Sequence, residues 1–298
     1  MPELPEVEST VRYLRERIEG LAIKSSEVLW HRTIAHNRAP LFSDLVSGSA
    51  ITSVFRCGKF VGMRLEGSSE QFLFTHLRMS GSLDVLPDSM PLEPHDRVVL
   101  YLSNGKSLRF NDTRKFGRMY LVSSPEEITA RIGIEPLSDS FTPEMLDSIL
   151  CARKGAVKPT LLNQSLIAGL GNIYVDESLW TAQVHPLTPC NKIPQEKRAA
   201  LHAAIVSILS KAVSLLGTDF GDGVVDGGMY SPVVYGREGE PCKRCKSEIR
   251  RIVVGQRGTH ICPACQSRRR TAKAKGQKDA TRGRNASRAP SRRGRKSR

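Results

Sequence analysis

The chain has 298 residues, 45 Lys/Arg against 30 Asp/Glu, and a formal charge of +15. No apolar run approaches the roughly 20 residues of a membrane span. The acidic, polar start is not a signal peptide, so the sequence predicts an intracellular protein with no membrane anchor. The charge is segregated: residues 266–298 hold 14 of the Lys/Arg and a single acid, while 1–265 hold 31 basic and 29 acidic residues, a net of +2. A basic partner surface is therefore announced by the tail and hardly at all by the body.

Residues 5–20 read as a helix. Pro5 suits a first turn, where its missing N–H is no loss. Glu3, Glu6 and Glu8 sit where a helix dipole favours carboxylates. Val7, Val11, Leu14 and Ile18 recur at helical spacing, and Gly20 can end the helix. Pro2 and Glu3 lie ahead of it and are not explained by it. A small second residue permits removal of Met1, which leaves Pro2 carrying a free amine. Such an amine has a pKa of about 8 and is substantially neutral near pH 7. It can attack a carbon electrophile and form an iminium. Glu3 stands beside it as a proton donor or charge partner.

Residues 21–122 read as strands, with Val-, Ile- and Phe-containing runs near 22–30, 50–56, 59–65, 71–77, 97–102, 107–111 and 118–122. Ser103-Asn104-Gly105-Lys106 is a hairpin turn, since Asn-Gly accepts positive φ. Many short strands after one helix predict a β-sandwich or flattened barrel. The Ser- and Pro-bearing stretch 123–143 reads as an interdomain linker. Helices follow at 142–153, 158–168, 172–183 and 194–216. Gly169 and Gly171 break the pattern between the second and third, and Asn172 can cap the third. A helix start exposed behind a glycine turn is a ready anion site, although on these residues alone an ordinary helical hairpin with a glycine stop is the better reading. Residues 217–236 carry six glycines and are long for a plain loop.

Cys242 and Cys245 form one CxxC pair, and Cys262 and Cys265 form another after 16 residues. Four thiolates at this spacing complete a tetrahedral zinc site with no position open to water, so the metal is structural. Between the pairs, 249–254 and 259–261 read as a hairpin whose tip, Gln256-Arg257-Gly258, holds Arg257 out from a rigid base. Cys57, Cys151 and Cys190 are scattered, which suits free thiols in a reducing compartment. The tail 266–298 has almost nothing apolar to bury and is predicted to be disordered.

Five separated motifs resemble the formamidopyrimidine-DNA glycosylases of the Fpg/Nei class. They are Pro2-Glu3-Leu4-Pro5-Glu6-Val7-Glu8, Thr75-His76-Leu77-Arg78-Met79-Ser80-Gly81, Asp112-Thr113-Arg114-Lys115-Phe116-Gly117, the Gly-Leu-Gly-Asn-Ile-Tyr turn at 169–174, and the four-cysteine finger. The resemblance implies an α+β multidomain fold: an N-terminal β-sandwich with the catalytic helix over 1–130, a helix-two-turn-helix domain with a lesion-covering loop over 131–236, a zinc finger over 237–265 and the basic tail. It implies a monomer that binds damaged double-stranded DNA between the halves, flips a nucleotide and removes oxidised purines with strand cleavage.

The same resemblance assigns roles. Pro2 is the nucleophile, Glu3 the acid, Lys59 the strand lysine serving β-elimination, and Arg257 the finger arginine serving δ-elimination. Asn172, His95 and Arg153 match contacts to the DNA backbone, with Arg153 replacing a more usual Lys. Met79, Arg114 and Phe116 match the trio that fills the hole left in the stack, a task suited to an apolar wedge, a hydrogen-bonding arginine and an aromatic plate. Without the family, Met79 and Phe116 would read as core and Lys59 as a surface lysine. Three departures stand out: Thr113-Arg114-Lys115 in place of Pro-Arg-Arg, Arg78 where Gly is common, and a short run from Gly217 to an expected strand at Val234-Tyr235-Gly236. The short run puts lesion preference in doubt. Competing readings are an endonuclease VIII-like enzyme for oxidised pyrimidines, a lesion-binding protein without catalysis, and a zinc-ribbon adaptor.

Overall fold

A computed structural model of the chain describes residues 1–35, 39–219 and 228–267. The expectations for a disordered tail and for the centre of the glycine-rich loop fall outside those residues.

Helix α1 (Leu4–Ile18) begins one residue earlier than expected. Glu3 and Glu6 close a capping box, in which the Glu3 N–H donates to Glu6 Oε2 at 2.8 Å. Eight strands follow: β1 (Ile23–Val28), β2 (Ala50–Cys57), β3 (Phe60–Glu66), β4 (Glu70–His76), β5 (Gly81–Pro87), β6 (Asp96–Leu102), β7 (Lys106–Asp112) and β8 (Arg118–Val122). They form two antiparallel four-stranded sheets, ordered β1-β6-β7-β5 and β2-β3-β4-β8. The predicted sandwich is present, and the Asn104-Gly105 turn joins β6 to β7.

Two elements in this half escape sequence reading. Strand β5 has only Leu83, Val85 and Leu86 as large apolar residues, carries Asp84 at its centre and ends on Pro87. It is an edge strand, where few side chains need burial and proline costs no ladder bond. Helix α2 (Ala39–Val46) lies between strands and sends Phe42 and Val46 into the sandwich core.

Helix α3 (Glu126–Thr129) lies in the connection after β8, and the second half holds α4 (Pro143–Cys151), α5 (Val157–Leu161), α6 (Asn172–Thr181) and α7 (Gln195–Ser214). Thr142 caps α4, its hydroxyl accepting from Met145 N at 3.2 Å. The expected helix 158–168 stops at Leu161. The Asn163 side chain takes the Ser165 N–H at 3.0 Å. Gln164 serves the backbone at Leu162, Gly169 and Leu170. Side chains thus satisfy the amides and carbonyls that a helix would have used.

Two hydrophobic cores result. Val7, Val11, Leu14 and Ile18 belong to the sandwich core, whereas Leu4 of the same helix belongs to the helical core with Leu146, Leu161, Leu170 and Leu209. Helix α1 therefore pins the two halves together from its first turn.

The finger hairpin is β9 (Arg250–Val254) and β10 (Arg257–Ile261). Its tip is the two-residue turn Gly255-Gln256, with φ of +56° and +62°. Arg257 is not at the tip as expected but opens β10, paired with Val254. A two-residue turn with both φ positive matches the twist of the flanking strands. Gln266, assigned to the tail from sequence, is buried in the finger, accepting from Cys262 N at 2.9 Å and donating to Val184 O at 3.0 Å. The expected strand at 234–236 is a turn, for reasons that lie in α6. No described helix is long and apolar enough to cross a membrane.

Candidate functional site

Pro2 and Glu3 are buried where the two halves meet. The Leu4 N–H donates to Gly169 O at 3.1 Å, which draws the start of α1 onto the glycine turn. Asn172 does not cap α6, as the sequence suggested; the cap position is Gly171. The free amides of α6 are met instead by Glu3, whose carboxylate accepts from Ile173 N at 3.0 Å and Tyr174 N at 3.4 Å. The anion expected at this helix start is thus one the chain supplies itself. A Cβ on Gly171 would lie 2.2 Å from Glu3 Cδ, so only glycine lets the carboxyl approach.

Burial pushes the Glu3 carboxyl up to about 7, against the pull of Lys59 and of the two amides. Lys59 is itself 7% exposed. Burial and then the Arg257 charge hold its ammonium below the usual range, while Glu3 opposes them. The site therefore joins a carboxyl raised to about 7 to an ammonium lowered from its usual range. Such opposed shifts suit acid–base work. Lys59 sits with Gly58 in the two-residue turn between β2 and β3. That turn is clamped by Glu135, which accepts from Gly58 N at 2.6 Å and from Arg56 at 2.7 Å. Arg56 also reaches Glu8 at 3.0 Å.

Sequence reading missed Glu135 and a second layer around Glu6. Glu6 is fully buried and accepts from Tyr174 OH at 2.5 Å and Thr218 N at 2.8 Å. Glu177 is likewise buried and accepts from the N–H groups of Val233, Val234 and Tyr235 at 2.8, 2.8 and 2.9 Å. Those amides wrap one carboxylate, which is why 234–236 turns instead of pairing. The two ends of the glycine-rich segment are thus tied to α1 and α6. An apolar helix pattern carries no signal for either carboxylate beyond their being acidic residues on a buried stretch.

Met79 and Phe116 are 44% and 49% exposed, which excludes the core-packing reading. They lie in the β4–β5 and β7–β8 loops, and the Arg114 guanidinium stands 5.0 Å from the Phe116 ring centroid. Arg78 has φ of +60°, the left-handed conformation that glycine adopts without strain and that explains why glycine suits the position. Its N–H donates to His76 Nδ1 at 3.0 Å. His76 is held neutral, its pKa lowered to about 3 by burial, then by Arg78 and Lys59. Lys115, also at positive φ, lies 4.2 Å over the Trp30 ring. His95 is exposed, with Nδ1 3.1 Å from Arg97. Arg153 is partly exposed and donates to Ile149 O at 2.6 Å, closing the end of α4.

The finger is stitched to α6 through Gly258, whose carbonyl accepts from Asn172 Nδ2 at 3.0 Å and Lys158 Nζ at 3.2 Å. Lys158 pairs with Asp176 at 2.6 Å, both fully buried, and Asp176 also accepts from His260 N at 2.9 Å. Arg257 is exposed at the base of this seam and faces the site closely enough to depress Lys59. The Sγ atoms of Cys242, Cys245, Cys262 and Cys265 all lie within 4.8 Å of one another. A Zn–S bond of roughly 2.3 Å requires a spacing of about 3.8 Å in a tetrahedron. Cys242 and Cys265 stand 3.9 Å apart and Cys245 and Cys262 3.3 Å, which bracket that spacing, so the donor set fits one zinc ion.

Residues 1–119 match the family model described as the formamidopyrimidine-DNA glycosylase N-terminal domain, 132–221 its H2TH domain, and 239–268 the zinc finger found in FPG and IleRS. The chain is 42% identical over 278 residues to a formamidopyrimidine-DNA glycosylase of Protochlamydia amoebophila, covering 90% of this chain and all of the relative. It is 43% identical over 276 residues to one of Brevibacillus brevis, covering 89% of this chain and 99% of the relative. Among solved structures it is similar to Lactococcus lactis Fpg (MutM) in complex with DNA containing N7-benzyl-Fapy-dG, with a TM-score of 0.84, 36% identity, and coverage of 90% of this chain and 100% of that one. A MutM complex with DNA containing carbocyclic 8-oxo-G matches with the same TM-score, identity and coverage.

Proposed function

The chain belongs to the formamidopyrimidine-DNA glycosylase family, a base-excision repair glycosylase with one structural zinc, and from that premise we propose how its own residues act on oxidised purines in duplex DNA. After removal of Met1, the Pro2 nitrogen attacks C1′ of a flipped nucleotide, and the base leaves with the C–N bond electrons. Glu3 donates the proton that opens the sugar ring, and the ring carbon becomes an iminium on Pro2. Lys59 accepts a proton in the first elimination. Arg257 grips the phosphates through the second. Water then hydrolyses the iminium and frees Pro2.

Met79, Arg114 and Phe116 fill the vacated stack, Arg114 pairing with the orphaned base. His95, Arg153 and Asn172 hold backbone phosphates. Asn172 has a second amide hydrogen for that purpose beside the one given to Gly258. On this reading the domains are 1–130, 131–236 and 237–265, with Gln266 added to the last by its bonds to Cys262 and Val184, and zinc fixes the finger that presents Arg257.

The observation that carries this reading is Glu3: a buried carboxyl, raised to about 7, set on the α6 start directly after Pro2. The test is base release and strand scission on duplexes carrying 8-oxoguanine opposite C, a formamidopyrimidine, or an oxidised pyrimidine. Release of the purine lesions, with phosphates left on both sides of the gap, is expected. Preferential release of the pyrimidine lesion would replace this reading with the endonuclease VIII-like one.

A further inference from the structure

Met79 and the Arg114–Phe116 pair sit on different loops, yet a duplex probe needs them to enter together. One carboxylate joins the loops. Asp112 ends β7 and is 1% exposed. Its Oδ1 accepts from Ser80 Oγ at 2.5 Å, in the loop that carries Met79. The same oxygen accepts from Arg114 N at 3.1 Å, and Oδ2 accepts from Gly117 N at 2.7 Å, at the two ends of the loop carrying Arg114 and Phe116. Arg114 N also lies 3.3 Å from Ser80 Oγ, so the loops touch directly across the carboxylate.

The backbone of Asp112 is held as firmly as its side chain. Its N–H donates to His95 O at 2.9 Å, and its carbonyl accepts from Arg97 Nε at 2.8 Å. Below it, the buried Phe110 ring is a common floor. A Cβ on Gly81, which follows the first loop at the start of β5, would lie 2.9 Å from that ring, and one on Gly117 would lie 2.3 Å from it, so a glycine beside each loop abuts the same ring. Strand β7 thus supplies both the floor and the clamp.

We propose that Asp112 is a positioning residue for the duplex probe: it locks the 77–80 and 113–117 loops into one preset unit and so sets discrimination of the base opposite the lesion. The proposal rests on the reading of Met79, Arg114 and Phe116 as that probe. The chemistry is specific to a carboxylate. Three donors converge on two oxygens, and an amide in its place must turn an N–H toward one of them. In either orientation of the amide, Asp112→Asn loses a backbone donor that holds the 113–117 loop, Arg114 N or Gly117 N, while keeping the side chain's size. A hydrogen bond to a charged acceptor is worth enough for a change of about tenfold in a rate ratio.

The test is single-turnover base release from 8-oxoguanine opposite C and opposite A, with thermal unfolding of each variant as a check on folding. Asp112→Asn is expected to shrink the C-to-A rate ratio about tenfold, and Ser80→Ala to shrink it less. Because Asp112 acts through Arg114, the double variant Asp112→Asn/Arg114→Ala should discriminate no worse than Arg114→Ala alone. If Asp112→Asn fails to fold, the Ser80→Ala/Arg114→Ala cycle decides by the same criterion. Wild-type discrimination in Asp112→Asn and Ser80→Ala, beside its loss in Arg114→Ala, would overturn the clamp and leave the probe standing. An equal slowing on both duplexes would mark Asp112 as structural only. Should Arg114→Ala itself keep the wild-type ratio, the probe reading fails, and the clamp with it.

Discussion

Glu3 shows how far a single residue can be read from sequence and where reading stops. Its place beside Pro2 was legible as a proton donor. Its burial was not, because the amides that receive it lie about 170 residues away, on α6. The consequence is a pH dependence with a definite sign. The folded carboxyl titrates at about 7 instead of the usual 4.5. Between those values the folded chain keeps a proton that the unfolded chain has lost. The stability Glu3 contributes is therefore complete below pH 4.5 and is lost as pH rises through 7. A shift of this size corresponds to on the order of 3 kcal/mol. Glu3→Gln, neutral at every pH, should flatten urea stability across that window; an unchanged pH slope would contradict the assignment. The wild-type single-turnover rate is expected to fall above pH 7 as Glu3 loses its proton, and the same variant should release bases slowly and lack that fall.

Among the elements, the α6 start and the finger depend on fits that periodicity does not encode. The GLGN turn was legible as a helix boundary, but its purpose is to admit Glu3. Gly171→Ala places a methyl 2.2 Å from Glu3 Cδ, and the overlap should cost about 1–3 kcal/mol and displace the acid. A variant with wild-type melting and wild-type rate would show that the contact is soft. In the finger, the cysteine spacing gave the metal directly, whereas the tip was misplaced because Gly255-Gln256 is a tighter turn than Gln256-Arg257-Gly258. Zinc binding helps fold such modules. Metal analysis should find one zinc per chain. Cys245→Ser should lose it together with DNA binding while the sandwich stays folded; an active protein without zinc would refute the structural role. Edge strand β5 stayed hidden for a different reason: a strand with one partner needs few of the residues that make strands visible.

Over the whole molecule, the sandwich and the helical half were legible from their hydrophobic patterns and the finger from its cysteine spacing. Their joint was not. It consists of Leu4 in one core, Val7 in the other, and buried carboxylates at 3, 6 and 177 meeting amides far along the chain. The tail adds a property of the entire chain, since residues 266–298 carry 14 of 45 basic residues. Each phosphate neutralised adds about −0.9 to the slope of log K against log salt. Truncation must follow Ser267, because Gln266 is part of the finger. The truncated protein should bind undamaged duplex more weakly, with a slope shallower by several units, and keep its single-turnover rate at saturating enzyme. Identical slopes would show that the tail touches no phosphates.

On the proposed reading, removal of Met1 leaves the Pro2 amine beside a Glu3 carboxyl raised to about 7 and a Lys59 ammonium lowered by burial, so two nitrogens could compete for the sugar. Borohydride reduction during turnover on an 8-oxoguanine duplex, followed by mass mapping of the crosslinked peptide, separates them. The crosslink should fall on an N-terminal peptide that begins at Pro2 and should be absent in Pro2→Gly. A crosslink on Lys59, with Pro2→Gly fully active, would contradict the mechanism at its first step.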